Sequence, residues 1–259
     1  MQRYEKESDF TKKILINSEN KSGAVLFTRG KCRKLTFFVP AKTDYSIIML
    51  HVKQFTCNPF QENTYILYND QRQCWIIDPG MYGVEEEQQV YQFIDEQQLV
   101  PQQIINTHAH IDHIFSVDSV KQRYNIPFGV HQLEDPILRN AANTAVMFGF
   151  NFPVAPVADF YIEPGTMMLG EDAIEVKLAP GHSPGSVVFY NAADNYVIAG
   201  DVLFQRSVGR SDLPGGGHDT LINSIRTQLM DLPEETIVLS GHGASTTIGE
   251  EKLYNPFLK

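Results

Sequence analysis

From Met49 onward, apolar and polar residues alternate with the period of a strand. HVKQF, NTYILY and QCWIID are short β-branched or aromatic-rich runs separated by turn residues, which predicts a strand meander broken at Asp78-Pro79-Gly80. The period then changes. Val84, Val90, Phe93, Ile94 and Leu99 recur at roughly helical intervals among charges, which predicts an amphipathic helix. IINT (104–107) reads as a short buried strand that delivers the chain into THAHIDH. Residues 113–124 read as a helix, IPFGV as a strand, and 132–149 as a helical stretch ending at Phe148, Phe150 and Phe152.

The second half repeats the scheme. Strands are predicted near 160–162, 166–169, 173–179, 186–191 and 195–200, then a helix over 220–230 capped by Asp219, then the strand TIVLS leading into Gly241-His242-Gly243. Two strand-rich halves, each followed by helices, predict two sheets packed face to face with helices outside. Periodicity alone does not separate this from other α/β arrangements.

Residues 1–48 differ from the rest. They carry ten Lys/Arg against five Asp/Glu and show no clear periodicity. They read as an N-terminal extension outside the domain at 49–259: a disordered tail, or a stretch upstream of a true start at Met49. The remainder carries eleven Lys/Arg against twenty-six Asp/Glu, a net charge of −15 that opposes binding to a nucleic acid backbone. Cys32, Cys57 and Cys74 lack ligand-type spacing and suggest no disulfide framework, so a reducing cytoplasm is expected. Cys57 and Cys74 read as small buried hydrophobes. No signal peptide or membrane span is visible, and a small-molecule partner is expected. The oligomeric state is left open.

Three of the eight histidines fall within six residues, His108, His110 and His113, with Asp112 between them. Such a cluster after a buried strand repels on protonation and is costly to pack dry; a divalent cation resolves both problems. Alternation along an extended loop puts His108 and His110 on one face, and Asp112 and His113, at the start of the following helix, reach a second position. One segment can thus serve two ions. His182, Asp201 and His242 each follow a predicted strand and a glycine, which permits tight turns and close backbone approach. His51, His131 and His218 lack such a context and read as surface or packing residues.

THAHIDH, PGHSPGS, GDVLF and GHG resemble, in order, the motifs of the metallo-β-lactamase superfamily, over roughly Met49 to the C-terminus. SVGRSDLPGG (207–216) and TTIGEEKLYNPF (246–257) are most similar to its short bacterial hydroxyacylglutathione hydrolase (glyoxalase II) branch. The resemblance implies a four-layer αββα sandwich with a dinuclear site. His108, His110 and His182 would hold one metal, Asp112, His113 and His242 the other, and Asp201 would bridge them. Two divalent ions are implied, zinc first, with iron or manganese as alternatives. It also implies a shared hydroxide that attacks an acyl carbonyl, oriented by Asp112 as the catalytic residue. Asp78, in IIDPG, is expected to hydrogen-bond to the site loops. Arg210 is expected either to meet a substrate carboxylate or to form a buried structural ion pair.

Thioester hydrolysis is the leading expectation. A lactonase uses the same acyl attack, and a mononuclear iron persulfide dioxygenase uses the same fold with a subset of these ligands. A non-catalytic metal-binding module is disfavoured because all seven ligand positions are filled. Longer members of the branch carry a helical domain that grips glutathione. Here seventeen residues follow His242, so the thiol portion of the substrate is expected to be able to differ.

Overall fold

A computed structural model describes residues 50–152 and 154–259, together with the backbone of three strands nearer the N-terminus. The chain divides into two compact units, Met1–Ile47 and Ile48–Lys259. In the first, β1 (Ile14–Ile16), β2 (Ala24–Thr28) and β3 (Lys31–Leu35) form an antiparallel sheet in that order. Only Arg29-Gly30 separates β2 from β3, a two-residue connection with glycine that suits a hairpin. Periodicity predicts no strands here. Met49 itself lies outside the described residues, so the idea that the chain starts there finds no test.

The second unit holds two six-stranded sheets. The first runs β4 (His51–Cys57), β5 (Glu62–Tyr68), β6 (Gln73–Ile77), β7 (Val100–Ile105), β8 (Phe128–Val130) and β9 (Phe160–Tyr161), in that spatial order. Its first three strands form the expected antiparallel meander, and the rest pair in parallel. The crossovers of the parallel part contain α1 (Val84–Glu96), α2 (Val117–Tyr124) and α3 (Asp135–Met147). The second sheet begins with a meander of β10 (Gly165–Leu169), β11 (Asp172–Leu178), β12 (Val187–Asn191) and β13 (Tyr196–Gly200). A small hairpin, β14 (Leu203–Phe204) and β15 (Ser207–Val208), and the helix α4 (His218–Ser224) follow. The chain then returns as β16 (Ile237–Ser240), parallel to β13, with β17 (Thr246–Thr247) at the edge and α5 (Ile248–Tyr254) last.

Period-two alternation sorts the strand side chains into layers. Tyr65, Leu67, Trp75 and Ile77 of the first sheet meet Ile174, Val176, Phe189 and Ile198 of the second in a shared core. The intervening Ile66, Cys74, Ile76 and Ile104 face outward to α1 and α2, and Val188, Val197 and Val238 face outward to α4 and α5. This is the expected four-layer αββα sandwich. Cys57 and Cys74 are buried and free, as anticipated.

Three local readings need correction. Asp112 and His113 do not begin a helix; they sit on a 3-10 turn (Ile111–His113), and α2 starts only at Val117. Two side-chain amides hold that turn apart: Asn58 donates to the carbonyl of Asp112 and Asn106 to that of His113. α4 begins at His218 with Gly217 as its cap, which leaves Asp219 in the first turn, and a wider π-type turn (Ile225–Leu229) continues it. The periodicity also misses α5, although Thr247 accepts from the Glu250 N–H in an ordinary cap.

The interlayer core fixes the spacing of the two halves, so its loss should be felt globally. Phe189→Ala is expected to cost about 3–5 kcal/mol of unfolding free energy. Denaturant melts measure this; a change below about 1 kcal/mol would mean the layers are held some other way.

Candidate metal centre

The histidines and carboxylates singled out from the sequence converge at one edge of the sandwich, each just beyond a strand. Asp78 follows β6, His108 and His110 follow β7, and His182 lies between β11 and β12. Asp201 follows β13 and His242 follows β16. Parallel pairing of β6 with β7 and of β13 with β16 brings these strand ends to the same side. Gly241 permits the last approach: a Cβ there would lie 2.2 Å from Asp201 Oδ1 and 2.9 Å from His113 Cε1.

The ligand-type atoms form three overlapping groups: Asp78 with His108 and His113, behind the cavity, and the two expected from the sequence. One atom from each of His108, His110 and His182 lies within 4.8 Å of the others, and the same holds for Asp112, His113 and His242. His182 Nε2 is 2.8 Å from His110 Nδ1 and 3.2 Å from His108 Nε2. Asp112 Oδ2 is 3.2 Å from His242 Nε2 and 3.7 Å from His113 Nε2. Asp201 spans the groups, with Oδ1 3.5 Å from His113 Nε2 and Oδ2 3.4 Å from His182 Nε2.

This donor set fits a metal. His113 Nε2 and Asp201 Oδ1 are buried without a hydrogen-bond partner, facing one another. Three ring nitrogens crowd at His182, where a single shared proton cannot satisfy them all. A cation in each group would take up these lone pairs, and imidazole with carboxylate suits zinc, iron or manganese.

The electrostatics divide along the same line. Burial, reinforced by neighbouring imidazoles, holds His108 well below its usual range and His110 down at about 3. Burial also lowers His182. These rings are therefore neutral at pH 7, as ligands must be. At His113 burial pushes down, but Asp112 and Asp201 overcome it and lift the ring well above its usual range. His242 rises to about 10, its burial outweighed by hydrogen bonds to Asp112 and Asp201. In the ion-free cluster, protons on these two rings neutralise the carboxylates.

A second layer aims the rings. His108 Nδ1 lies 3.0 Å from the Thr107 hydroxyl, His182 Nδ1 2.8 Å from the Arg210 carbonyl oxygen, and His242 Nδ1 3.0 Å from that of Phe60. His113 Nδ1 lies 3.1 Å from Asp78 Oδ2. Asp78 also accepts from the Thr107 N–H (2.7 Å) and the Thr107 hydroxyl (2.6 Å), so one buried carboxylate steadies both groups from behind. Sequence reasoning misses Thr107, Asn58, Asn106 and Glu62, whose types are common in turns and strands. Glu62 is wholly buried, 3.8 Å from His113 Nδ1, and burial pushes its carboxyl well above the usual range.

Arg210 contributes its backbone carbonyl. Its guanidinium is exposed and pairs side-on with Asp212 at 2.9 Å through both Nε and Nη2, which corrects the alternative of a buried ion pair. His51 is exposed beside Asp70, His131 accepts from the Leu133 N–H, and His218 opens α4. A cavity of about 500 Å³ opens over the cluster. His110, Asp112, His182, Asp201 and His242 form its floor, and Phe60, Ile137, Ala141, Phe148 and Leu213 form its walls. Phe150 and Phe152 instead pack on Phe115.

Two expectations follow from this geometry. Asp78→Ala strips three buried donors of their acceptor and should weaken metal binding about 10–100-fold by chelator competition; unchanged affinity would mean the rings are not aimed from behind. In ion-free protein the stabilisation from His242 is complete below its ordinary value near 6.5 and is lost as pH rises through about 10. Metal uptake at pH 7 should therefore release protons from His113 and His242. Calorimetry in buffers of different ionisation enthalpy reads this, and uptake without proton release would contradict it.

Comparison with known proteins agrees with the architecture. The hydroxyacylglutathione hydrolase GloC of Haemophilus influenzae is 33% identical over 212 residues, 81% of this chain and 98% of that protein. The crystal structure of the BLEG-1 B3 metallo-β-lactamase superposes with a TM-score of 0.73 at 40% identity, over 81% of this chain and 100% of the other. That of TTHA1623 in a di-iron-bound form gives 0.73 at 36%, over 80% and 100%. Residues 57–242 match the metallo-β-lactamase superfamily model, and with its strand-end histidines and aspartates at one edge of an αββα sandwich, this chain belongs to that superfamily.

Proposed function

We propose that this protein is a thioester hydrolase working through two divalent metal ions, of the glyoxalase II-like kind. His108, His110 and His182 would hold one ion, and Asp112, His113 and His242 the other. The observation that carries the reading is the placement of Asp201 between the groups: Oδ1 lies 3.5 Å from His113 Nε2, and Oδ2 lies 3.4 Å from His182 Nε2 and 3.5 Å from His242 Nε2. A metal pair supplies an activated water at neutral pH and polarises an acyl carbonyl. Zinc is our first choice, with iron or manganese as alternatives; a di-iron form of TTHA1623 makes iron a serious one.

The chain's own residues supply the rest. Asp112 reaches the cavity floor with its carboxylate held low by His113 and His242 against the opposing effect of burial, so it is ionised and able to orient a water and accept its proton. The apolar walls shield the acyl group from bulk water. Among the described residues lining the cavity, no serine or cysteine offers a nucleophile. The likeness to GloC supports a thioester, S-2-hydroxyacylglutathione or a related acyl thiol.

The partner we propose is a small acyl molecule, not a nucleic acid, since residues 49–259 carry a net charge of −15. Among the described residues no helix is long and apolar enough to cross a membrane. Free buried cysteines fit our proposal of a reducing cytoplasm.

The test is hydrolysis of S-D-lactoylglutathione by purified protein, with bound metals counted and a chelator added in parallel. Chelator-sensitive turnover with about two metals per chain is expected, and Asp112→Asn should lower kcat by 10²-fold or more. Turnover of a lactone or a β-lactam with none of thioesters would refute the thioester reading. Oxygen uptake with a persulfide and one iron per chain would replace it with a dioxygenase.

A further inference from the structure

Glu134 is a buried glutamate that lies outside both ligand groups and is used by no step above. It occupies the end of a 3-10 turn (Gln132–Glu134), directly before α3. Its side chain is fully enclosed and reaches two loops at once. Oε2 accepts from the Ala109 N–H at 2.9 Å, and Oε1 from the Gly185 N–H at 2.6 Å. Ala109 lies between His108 and His110, and Gly185 stands three residues after His182. One carboxylate thus joins the two loops that carry the three histidines of a single group, and those loops come from opposite sheets.

The site around it is built for this contact. Residue 185 is closely packed against the carboxylate: a Cβ there would stand 3.0 Å from Glu134 Cγ and Oε1 and 2.9 Å from His131 Nδ1. A buried carboxylate would be costly without partners, and here backbone donors from both loops offset part of that cost.

We infer that Glu134 is a positioning residue for the His108–His110–His182 group, setting the distance between its two loops so that the three imidazoles meet on one ion. It touches neither substrate nor metal and acts through Ala109 and Gly185. Asp112, His113 and His242 have further supports of their own in Asn58, Asp78 and the Phe60 carbonyl, so the larger effect falls on the His108–His110–His182 group. This rests on the dinuclear reading above.

Glu134→Gln tests it, because the isosteric amide keeps one acceptor but turns an NH2 toward a backbone N–H. Ion-free protein is titrated with zinc against a chromophoric chelator, alongside a thermal melt. The wild-type chain is expected to take up two zinc ions. In E134Q one affinity should fall about 10–100-fold while the other stays, with a reduced kcat and little change in KM. Two unchanged affinities would overturn the inference, as would equal weakening of both with a lowered Tm, which marks general destabilisation. If E134Q does not fold, Gly185→Ala, whose Cβ would crowd Glu134 and His131 at the same contact, is titrated in its place. Selective weakening of one ion supports the role, and two wild-type affinities refute it. A wild-type chain that binds no zinc, iron or manganese would instead refute the dinuclear reading itself.

Discussion

Asp201 is placed where no carboxylate would settle alone: largely enclosed, facing His113 through one oxygen and His182 and His242 through the other. Burial works against its charge, yet the surrounding imidazoles hold it ionised, well below the usual carboxylate range. Around it five imidazoles and a second carboxylate crowd at distances that protons alone satisfy poorly. This concentration of lone pairs is the constraint the rest of the molecule serves. It explains why hydrogen bonds from behind fix the rings, why Gly241 lacks a side chain, and why the ligands come from both sheets.

The sandwich answers that constraint through its strand ends. A parallel strand pair brings two C-terminal ends to one edge, and each sheet contains such a pair. The core between the sheets, with Trp75 and Phe189 near its centre, then sets how far apart the two sets of loops stand. Packing of large side chains to crystal-like density turns a flexible requirement into a fixed one. The apolar interior and the polar edge are two halves of one device: the first supplies rigidity, the second supplies charge.

Much of this was legible in the sequence because it is written in local patterns. Alternation in NTYILY and QCWII marks strands and also says which side chains face which layer. HxHxDH is legible because three imidazoles so close together have few other uses. The turn at Asp112 and His113 was not legible, since it depends on side-chain contacts that periodicity does not record, from Asn58 far back in the chain and from Asn106 just past the end of β7. Glu62 and Glu134 were equally hidden: each looks like an ordinary charged residue until the fold closes over it. α5 was missed for a different reason. Its signal, a threonine three residues before a glutamate, is short, and its apolar positions are too few to set a period.

The separation of the ligands along the chain has a consequence for how the protein reaches its final form. His108 and His182 are 74 residues apart, and His242 is tied to the Phe60 carbonyl across 182 residues. Contacts of such high sequence separation carry a large loop-closure entropy and close late. Each sheet begins with a meander of neighbouring strands that can form early and separately. The charged edge is then completed only when the two halves dock. The centre is therefore a clasp fastened at the end of folding, and a chain stalled before docking would carry HxHxDH as a loose peptide.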